Sequence, residues 1–228
     1  MFGSVDYHKA GVDLLRQQGS AGSPGLRRYN ELDAVYQHPS SGGKVYIGNL
    51  VAAQTRTILE KHDIFRIVNC QDVTTENYHE KAKEFDYYRF PISHWWREPG
   101  MDKPENVLRY FLEPFKWIDT QIEEGKSVLI HCLAGAHRAG TTGVAYCMYA
   151  NNLGFDETLA YVKSLRPIVD PFGPLEELLR RLEAGLQKGA VVKKPAKRFL
   201  AGVALSPTAT SPTVKRSLPI KPRSGLTS

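Results

Sequence analysis

The chain has 228 residues, of which 42% are hydrophobic, enough for one folded domain with a substantial core plus extensions. It holds no run of about 18 apolar residues, and its first residues lack the basic start and apolar stretch of a secretory signal, so we expect no membrane association. Three cysteines are too few for a disulfide framework, and the seven histidines show no metal-ligand spacing. We therefore expect a reducing compartment, the cytoplasm, the nucleus or both, and no metal or other cofactor.

The formal net charge of +6 is concentrated at the C-terminal end. Residues 187–228 hold nine Lys and Arg and no acid, so removing them leaves a net charge of −3 for the rest of the chain. The basic character therefore predicts no nucleic-acid groove on the folded part.

Residues 188–228 are small, basic and rich in proline, and this composition predicts a disordered tail. The basic run 193–198 fits a nuclear-import signal or a solvated charged segment, and the sequence leaves both open. Ser206-Pro207 and Ser211-Pro212 fit sites of proline-directed kinases. Residues 215–220 have the basic-then-apolar order of a kinase docking motif, which would make such a kinase a partner of the tail.

In chain order, residues 1–28 read as an N-terminal extension in which 5–18 form a weakly amphipathic helix. From residue 44 onward, strand and helix patterns alternate. The predicted strands are 44–47, 64–70, 87–92 and 128–130, and the predicted helices are 52–62, 104–124, one after residue 138, 156–165 and one beginning near Pro174.

This succession predicts an α/β fold with a central mixed, mostly parallel sheet of about five strands flanked by helices. Pro114 lies inside the longest predicted helix, so we expect a kink there or two helices end to end. Asp156 is expected to cap its helix, and Pro174 to occupy the first turn of the last one.

The chemistry is concentrated where the strand 128–130 runs into a tight turn and a helix. Cys132 follows the strand, Arg138 comes six positions later, and Gly135 lies between them. Five intervening residues let the backbone amides of residues 133–138 converge above the Cys132 sulfur. Converging amides at a helix N-terminus bind anions and favour a thiolate over a thiol.

Arg138 adds a planar fork that binds two oxygens of a phosphoryl group at once. A nucleophile, an oxyanion cradle and a bidentate cation together indicate hydrolysis of a phosphate ester through a cysteinyl-phosphate. The predicted catalytic residues at this loop are Cys132 and Arg138. The predicted substrate-binding residues are Leu133, Ala134, Gly135, Ala136, His137 and Arg138.

Residues 131–138, His-Cys-Leu-Ala-Gly-Ala-His-Arg, resemble the signature of the cysteine-dependent protein tyrosine phosphatase superfamily. We call residues 132–138 the signature loop. Residues 46–53 also resemble the opening strand and turn of the dual-specificity branch, so the resemblance covers about 45–186 and suggests an atypical member. It implies a catalytic domain over 29–187 that acts on phosphoproteins.

The resemblance also implies a carboxylic acid that protonates the leaving group, about thirty residues before the nucleophile. Asp102 stands at that distance from Cys132 and is the predicted acid, although an Asp before Lys-Pro is also a good helix cap. His94 is the alternative, because it follows the strand end after which the acid of these phosphatases usually comes. Trp95 and Trp96 beside it suggest either a packed lid or an aromatic platform at the site.

Ala139 is a departure from many relatives, which carry Ser or Thr immediately after the arginine to help the thiolate leave. The leading prediction is a protein phosphatase for phosphotyrosine and, as a second class, phosphoserine and phosphothreonine. The alternatives are a catalytically impaired phospho-binding pseudophosphatase and a phosphatase for a non-protein substrate, a glucan or RNA.

Overall fold

A computed structural model of the chain describes residues 5–19 and 29–189. The basic run, the Ser-Pro pairs and the docking pattern of the tail lie outside the described residues, so those predictions stay as stated. No helix in these two stretches is long and apolar enough to cross a membrane.

Five strands form one mixed sheet. In chain order they are β1 (Leu32–Gln37), β2 (Lys44–Gly48), β3 (Ile64–Asn69), β4 (Asp86–Arg89) and β5 (Ser127–His131). Their order across the sheet is β1-β2-β5-β3-β4, and only the β1–β2 pair is antiparallel. The mixed, mostly parallel five-stranded sheet expected from the sequence is therefore confirmed.

The helices lie on both faces of this sheet. They are α1 (Tyr7–Gly19), α2 (Leu50–Gln54), α3 (Arg56–Lys61), α4 (Pro104–Glu123), α5 (Arg138–Asn151), α6 (Phe155–Leu165) and α7 (Pro174–Lys188), with a 3-10 helix at Ile92–Arg97. Helices α2 and α3 share one apolar cluster with the sheet, and α4, α5, α6 and α7 share the larger one. The central strand β5 is buried at all five positions because it is covered from both sides.

The register of the sheet brings the ends of the parallel strands to one edge. Gly48 and Asn69 are both paired with His131, and Asn69 is paired with Arg89 on its other side. Segments that leave β2, β3, β4 and β5 therefore begin side by side, at the edge where open α/β sheets bind their ligands.

Local departures from the sequence prediction have local causes. Strand β1 was missed, although Leu32, Val35 and Tyr36 are buried. The expected helix 52–62 is two short helices that meet at Thr55, whose backbone is extended. Helix α4 is a single helix with Pro114 buried inside it, so the alternative of two helices end to end is wrong. The cap of α6 is Gly154 rather than Asp156, which lies in the first turn.

Candidate active site

The signature loop connects the central strand β5 to α5, and its backbone carbonyls are held from outside. The Leu133 carbonyl accepts the amide N–H of Leu50 at 3.0 Å, and the Ala136 carbonyl accepts that of Asp170 at 3.1 Å. The carbonyls of Ala134 and Gly135 both accept from the Arg166 guanidinium, at 3.5 and 2.9 Å. Four successive carbonyls are thus bonded outside the loop.

This outward arrangement decides where the amides point. In a planar trans peptide the N–H is directed opposite to the preceding carbonyl. The amides of residues 134–137 therefore face the inside of the loop, above Cys132. A phosphoryl group placed there meets several converging N–H dipoles at the N-terminus of α5.

Gly135 has a backbone conformation that the loop requires. Its φ is +66°, in the left-handed region, and a Cβ here would lie 2.6 Å from the Gly48 carbonyl and 2.7 Å from Arg166. Any side chain at this position would therefore displace the Arg166 guanidinium and the end of β2.

Arg166 is the main support of the loop and is not among the residues predicted from the sequence. Its side chain is completely buried, pairs with Asp33 at 2.6 Å and also donates to the Asn30 carbonyl. Burial lowers the pKa of Arg166, and the neighbouring Asp33 carboxylate opposes that shift. It lies in the segment after α6, where no local pattern distinguishes it from an exposed loop arginine.

His131 and His137 lie next to Cys132 and Arg138 at the two ends of the signature loop, and both are buried. His137 is hydrogen-bonded through Nδ1 to the Asp170 carbonyl at 2.8 Å and packs edge-on against Phe172. Burial lowers the pKa of His131 to about 3, so this ring is neutral near neutral pH. Among residues 5–19 and 29–189, no three His, Cys, Asp or Glu are grouped as a metal site would need.

The predicted residues Cys132 and Arg138 both lie in this loop, deeply buried. Cys132 is 3% exposed and Arg138 2% exposed. Arg138 Nη2 is buried without a hydrogen-bond partner, and Nη1 lies 3.9 Å from an Asp72 carboxylate oxygen. Because a buried guanidinium N–H without a partner is costly, this donor is a natural place for a phosphate oxygen.

The guanidinium faces a cavity of about 300 Å³, which we call the Arg138 cavity. Its walls come from four segments that are distant in sequence: the start of α1, the residue Asp72 beyond β3, the 3-10 helix, and the start of α7. The lining residues are Val5, Asp6, Tyr7, His8, Asp72, Ser93, His94, Trp96, Arg97, Arg138 and Pro174.

Helix α1 docks on the signature loop. Tyr7 is 5% exposed and stands edge-on to Phe172, and Gly11 faces the Leu133 side chain so closely that a Cβ would lie 3.2 Å from it. The weakly amphipathic helix expected for 5–18 is present and forms one wall of the Arg138 cavity. Its contribution to the site was not foreseen.

The predicted acid Asp102 lies elsewhere. It is exposed and lines a separate cavity of about 260 Å³ with Trp95, Trp96 and Arg181, among others. The alternative, His94, lines the Arg138 cavity and lies 3.5 Å from Asp72. The two tryptophans differ in position. Trp95 is packed in the core, whereas Trp96 is 50% exposed and borders both cavities.

The hydroxyls near Ala139 are already engaged. Thr141 Oγ1 donates to the His137 carbonyl at 2.7 Å, and Thr142 Oγ1 donates to the Arg138 carbonyl at 3.1 Å. Thr142 also accepts from the Cys70 thiol, whose pKa burial raises to about 12. In this conformation neither threonine has a hydroxyl hydrogen to spare for the Cys132 sulfur.

Comparison with known proteins identifies the family. Residues 45–183 match the model of the dual specificity phosphatase catalytic domain. Dual specificity protein phosphatase 22-B of Danio rerio is 29% identical over 62% of this chain and 71% of its own length. Human dual specificity protein phosphatase 9 is 31% identical over 56% of this chain, but the match spans only 31% of that longer protein.

Solved structures show the same fold. A mouse putative dual specificity phosphatase complexed with zinc tungstate has a TM-score of 0.55 and 23% identity, covering 77% of this chain and 99% of that one. Human DUSP28 has a TM-score of 0.53 and 22% identity, covering 68% and 95%. With the family match over 45–183, the chain belongs to the dual specificity phosphatase family of the cysteine-dependent phosphatases.

Proposed function

We propose that the chain is an active protein phosphatase that hydrolyses phosphotyrosine and, as a second class, phosphoserine and phosphothreonine through a cysteinyl-phosphate. Family and fold support protein phosphatase activity in general. The observation that carries the proposal for this chain is the signature loop: four outward carbonyls, and a buried Arg138 with an unpartnered Nη2.

The reaction follows from this arrangement in two displacements. Cys132 attacks phosphorus while the amides of residues 134–137 and the Arg138 fork hold the other phosphoryl oxygens, and the leaving group departs on the far side. Water then attacks the cysteinyl-phosphate, releasing inorganic phosphate and the thiolate. Because the amides are fixed before substrate arrives, little reorganisation is required when charge develops on the oxygens.

A phospho-binding pseudophosphatase is the second candidate, and Ala139 favours it. Without a hydroxyl at this position, and with both nearby threonines bonded to carbonyls, departure of the thiolate has less assistance. Such a protein would bind phosphopeptides, or form the intermediate, without turning over.

The test is hydrolysis of aryl phosphates and of matched phosphotyrosine and phosphoserine peptides by wild type and Cys132→Ser. We expect Cys132→Ser to lose about 10⁴-fold or more in kcat, as expected for removal of a nucleophile, and to keep binding tungstate in calorimetry. The matched control is Cys147→Ser, which alters another buried cysteine, one on α5 and outside the cavity.

Three results would decide between the candidates. Equal turnover by wild type and Cys132→Ser rules out the cysteinyl-phosphate. A stoichiometric burst of aryl alcohol without further turnover supports the pseudophosphatase, as does peptide binding without any release. Steady turnover by wild type and by Cys147→Ser, but not by Cys132→Ser, supports the active phosphatase.

A further inference from the structure

The residue that protonates the leaving group has two candidates from the sequence, Asp102 and His94. The structure adds Asp72 as a third. In an in-line displacement the leaving oxygen lies opposite the attacking sulfur, so it points away from the signature loop and into the Arg138 cavity. The donor must reach that oxygen from the cavity wall. Four acidic or imidazole side chains line this wall: Asp6, His8, Asp72 and His94.

Asp6 is unsuited to the role because it is committed to α1. Its carboxylate accepts the amide N–H of Lys9 at 2.9 Å, and this hydrogen bond lowers the pKa of Asp6. The Asp6 carboxylate is therefore bound to the first turn of α1, whereas Asp72 is the carboxylate that lies 3.9 Å from Arg138. His8 is exposed on the same turn.

Residues of the 3-10 helix hold the Asp72 carboxylate beside the Arg138 guanidinium. Ser93 Oγ donates to Asp72 Oδ1 at 3.0 Å, His94 Nδ1 lies 3.5 Å from the same oxygen, and the other oxygen lies 3.9 Å from Arg138 Nη1. The side chain is 44% exposed and therefore accessible to a substrate. Asp72 therefore lies beside the guanidinium that would bind the phosphoryl group, and both side chains line the same cavity.

We infer that Asp72 is the catalytic acid and base of this phosphatase, with Ser93 and His94 as the residues that position it. The inference rests on the proposed function and adds a residue to its site. The carboxyl group comes from Asp72, on the segment after β3, rather than from an acid on the segment after β4. The segment after β4 contributes the Ser93 hydroxyl and the His94 imidazole, which hold that carboxyl group.

The proton balance is as follows. In the first displacement the Cys132–phosphorus bond forms and the bond from phosphorus to the leaving oxygen breaks. The electron pair stays on that oxygen, which takes the proton of the Asp72 carboxylic acid. In the second, the Asp72 carboxylate takes a proton from the attacking water as the sulfur–phosphorus bond breaks, which restores the acid.

A purely electrostatic role is the competing explanation, because Asp72 also neutralises Arg138. The two roles differ in their dependence on the leaving group. Protonation matters most for a poor leaving group such as phenol and least for a good one such as dinitrophenol, whereas positioning of Arg138 affects both esters equally.

The experiment measures kcat for phenyl phosphate and dinitrophenyl phosphate with wild type, Asp72→Asn, His94→Gln and Asp102→Asn. Asp86→Asn, at the opposite end of β4, serves as the matched control. We expect Asp72→Asn to lose about 10²-fold or more on phenyl phosphate and less than about 10-fold on dinitrophenyl phosphate. His94→Gln should lose less, and Asp102→Asn should keep the wild-type ratio of the two rates.

Equal loss on both esters, or no loss, in Asp72→Asn overturns the inference and leaves the proposed function intact. A leaving-group-dependent loss as large in His94→Gln or Asp102→Asn also overturns it, and assigns the acid to that residue. A wild type that cleaves dinitrophenyl phosphate no faster than Cys132→Ser overturns the proposed function and this inference with it.

Discussion

The floor and the rim of the Arg138 cavity are built differently. What we call the floor is the signature loop, of which Arg138 lines the cavity. It is buried except at the half-buried Leu133, its carbonyls are bonded to Leu50, Arg166 and Asp170, and it lies between the central strand and α5. The rim is drawn from four separate segments, which contribute residues 5–8, 72, 93–94 with 96–97, and 174. Asp72, His94 and Trp96 there are 44%, 38% and 50% exposed.

This difference indicates a division of work. Under the proposed function, the preorganised floor would bind the phosphoryl group that every substrate shares. The half-exposed rim would contact the leaving group and its surroundings, which differ between substrates. Floor substitutions should therefore lower catalysis of all substrates or unfold the loop, and rim substitutions should change the ratio between substrates.

Arg138→Lys is the sharpest floor change after loss of the nucleophile. Lysine keeps the charge and loses the two-pronged hydrogen bond, so one charge-assisted bond of about 2–3 kcal/mol is lost. We expect kcat/KM to fall about 10²-fold for phosphotyrosine and phosphoserine peptides alike, measured by phosphate release.

The control is Arg109→Lys, an exposed position on α4, which should keep wild-type rates. A fall limited to one substrate class would contradict the assignment of Arg138 to the shared floor.

Arg166→Met tests whether the floor depends on its support. Removing the guanidinium leaves Asp33 without its ion-pair partner and the carbonyls of Ala134 and Gly135 without their donor. Breaking a buried pair from one side costs about 3–5 kcal/mol, so urea unfolding should show a loss of about 3 kcal/mol or more, with lower kcat in the folded fraction.

Arg180→Met is the counterpart on the surface, where the side chain is 47% exposed and pairs with Glu176 and Asp156. Its free energy of unfolding should change by less than about 0.5 kcal/mol. Equal stability of the two variants would show that Arg166 is not the support described above.

Trp96→Ala is the mildest change and belongs to the rim. Loss of a half-exposed aromatic contact is worth about 0.5–1.5 kcal/mol, so KM should rise by about 10-fold or less. We expect the rise for phosphotyrosine peptides to exceed that for phosphoserine peptides, with kcat nearly unchanged, measured in steady-state assays.

Val51→Ala provides the control, since Val51 is also 50% exposed but lies outside the cavity. A large fall in kcat for Trp96→Ala would place this residue in the chemistry rather than at the rim.

Local sequence patterns predict four of the five strands and the position of the signature loop. The features that define the loop lie close together in sequence: the apolar strand 128–130, Gly135, and the spacing from Cys132 to Arg138. Because they are local, their structural consequence can be predicted from the sequence alone. Strand β1 is not predicted from the sequence, because its buried and half-buried positions do not alternate regularly and its register shifts between Ala34 and Tyr36. The prediction of Asp102 as the proton donor rests on its distance from Cys132 along the chain, and Asp102 lines a different cavity from Arg138.

Only the tertiary structure decided what surrounds that loop. Arg166, Asp72 and Tyr7 reach it from segments after α6, after β3 and before β1, and the packing of these segments is set by long-range contacts rather than by local preference. The parallel register that aligns Gly48, Asn69 and His131 places the end of β3 beside the nucleophile. The sequence by itself determined the signature loop, which we propose binds phosphate, and the fold determined which distant side chains support the loop and line the cavity beside it.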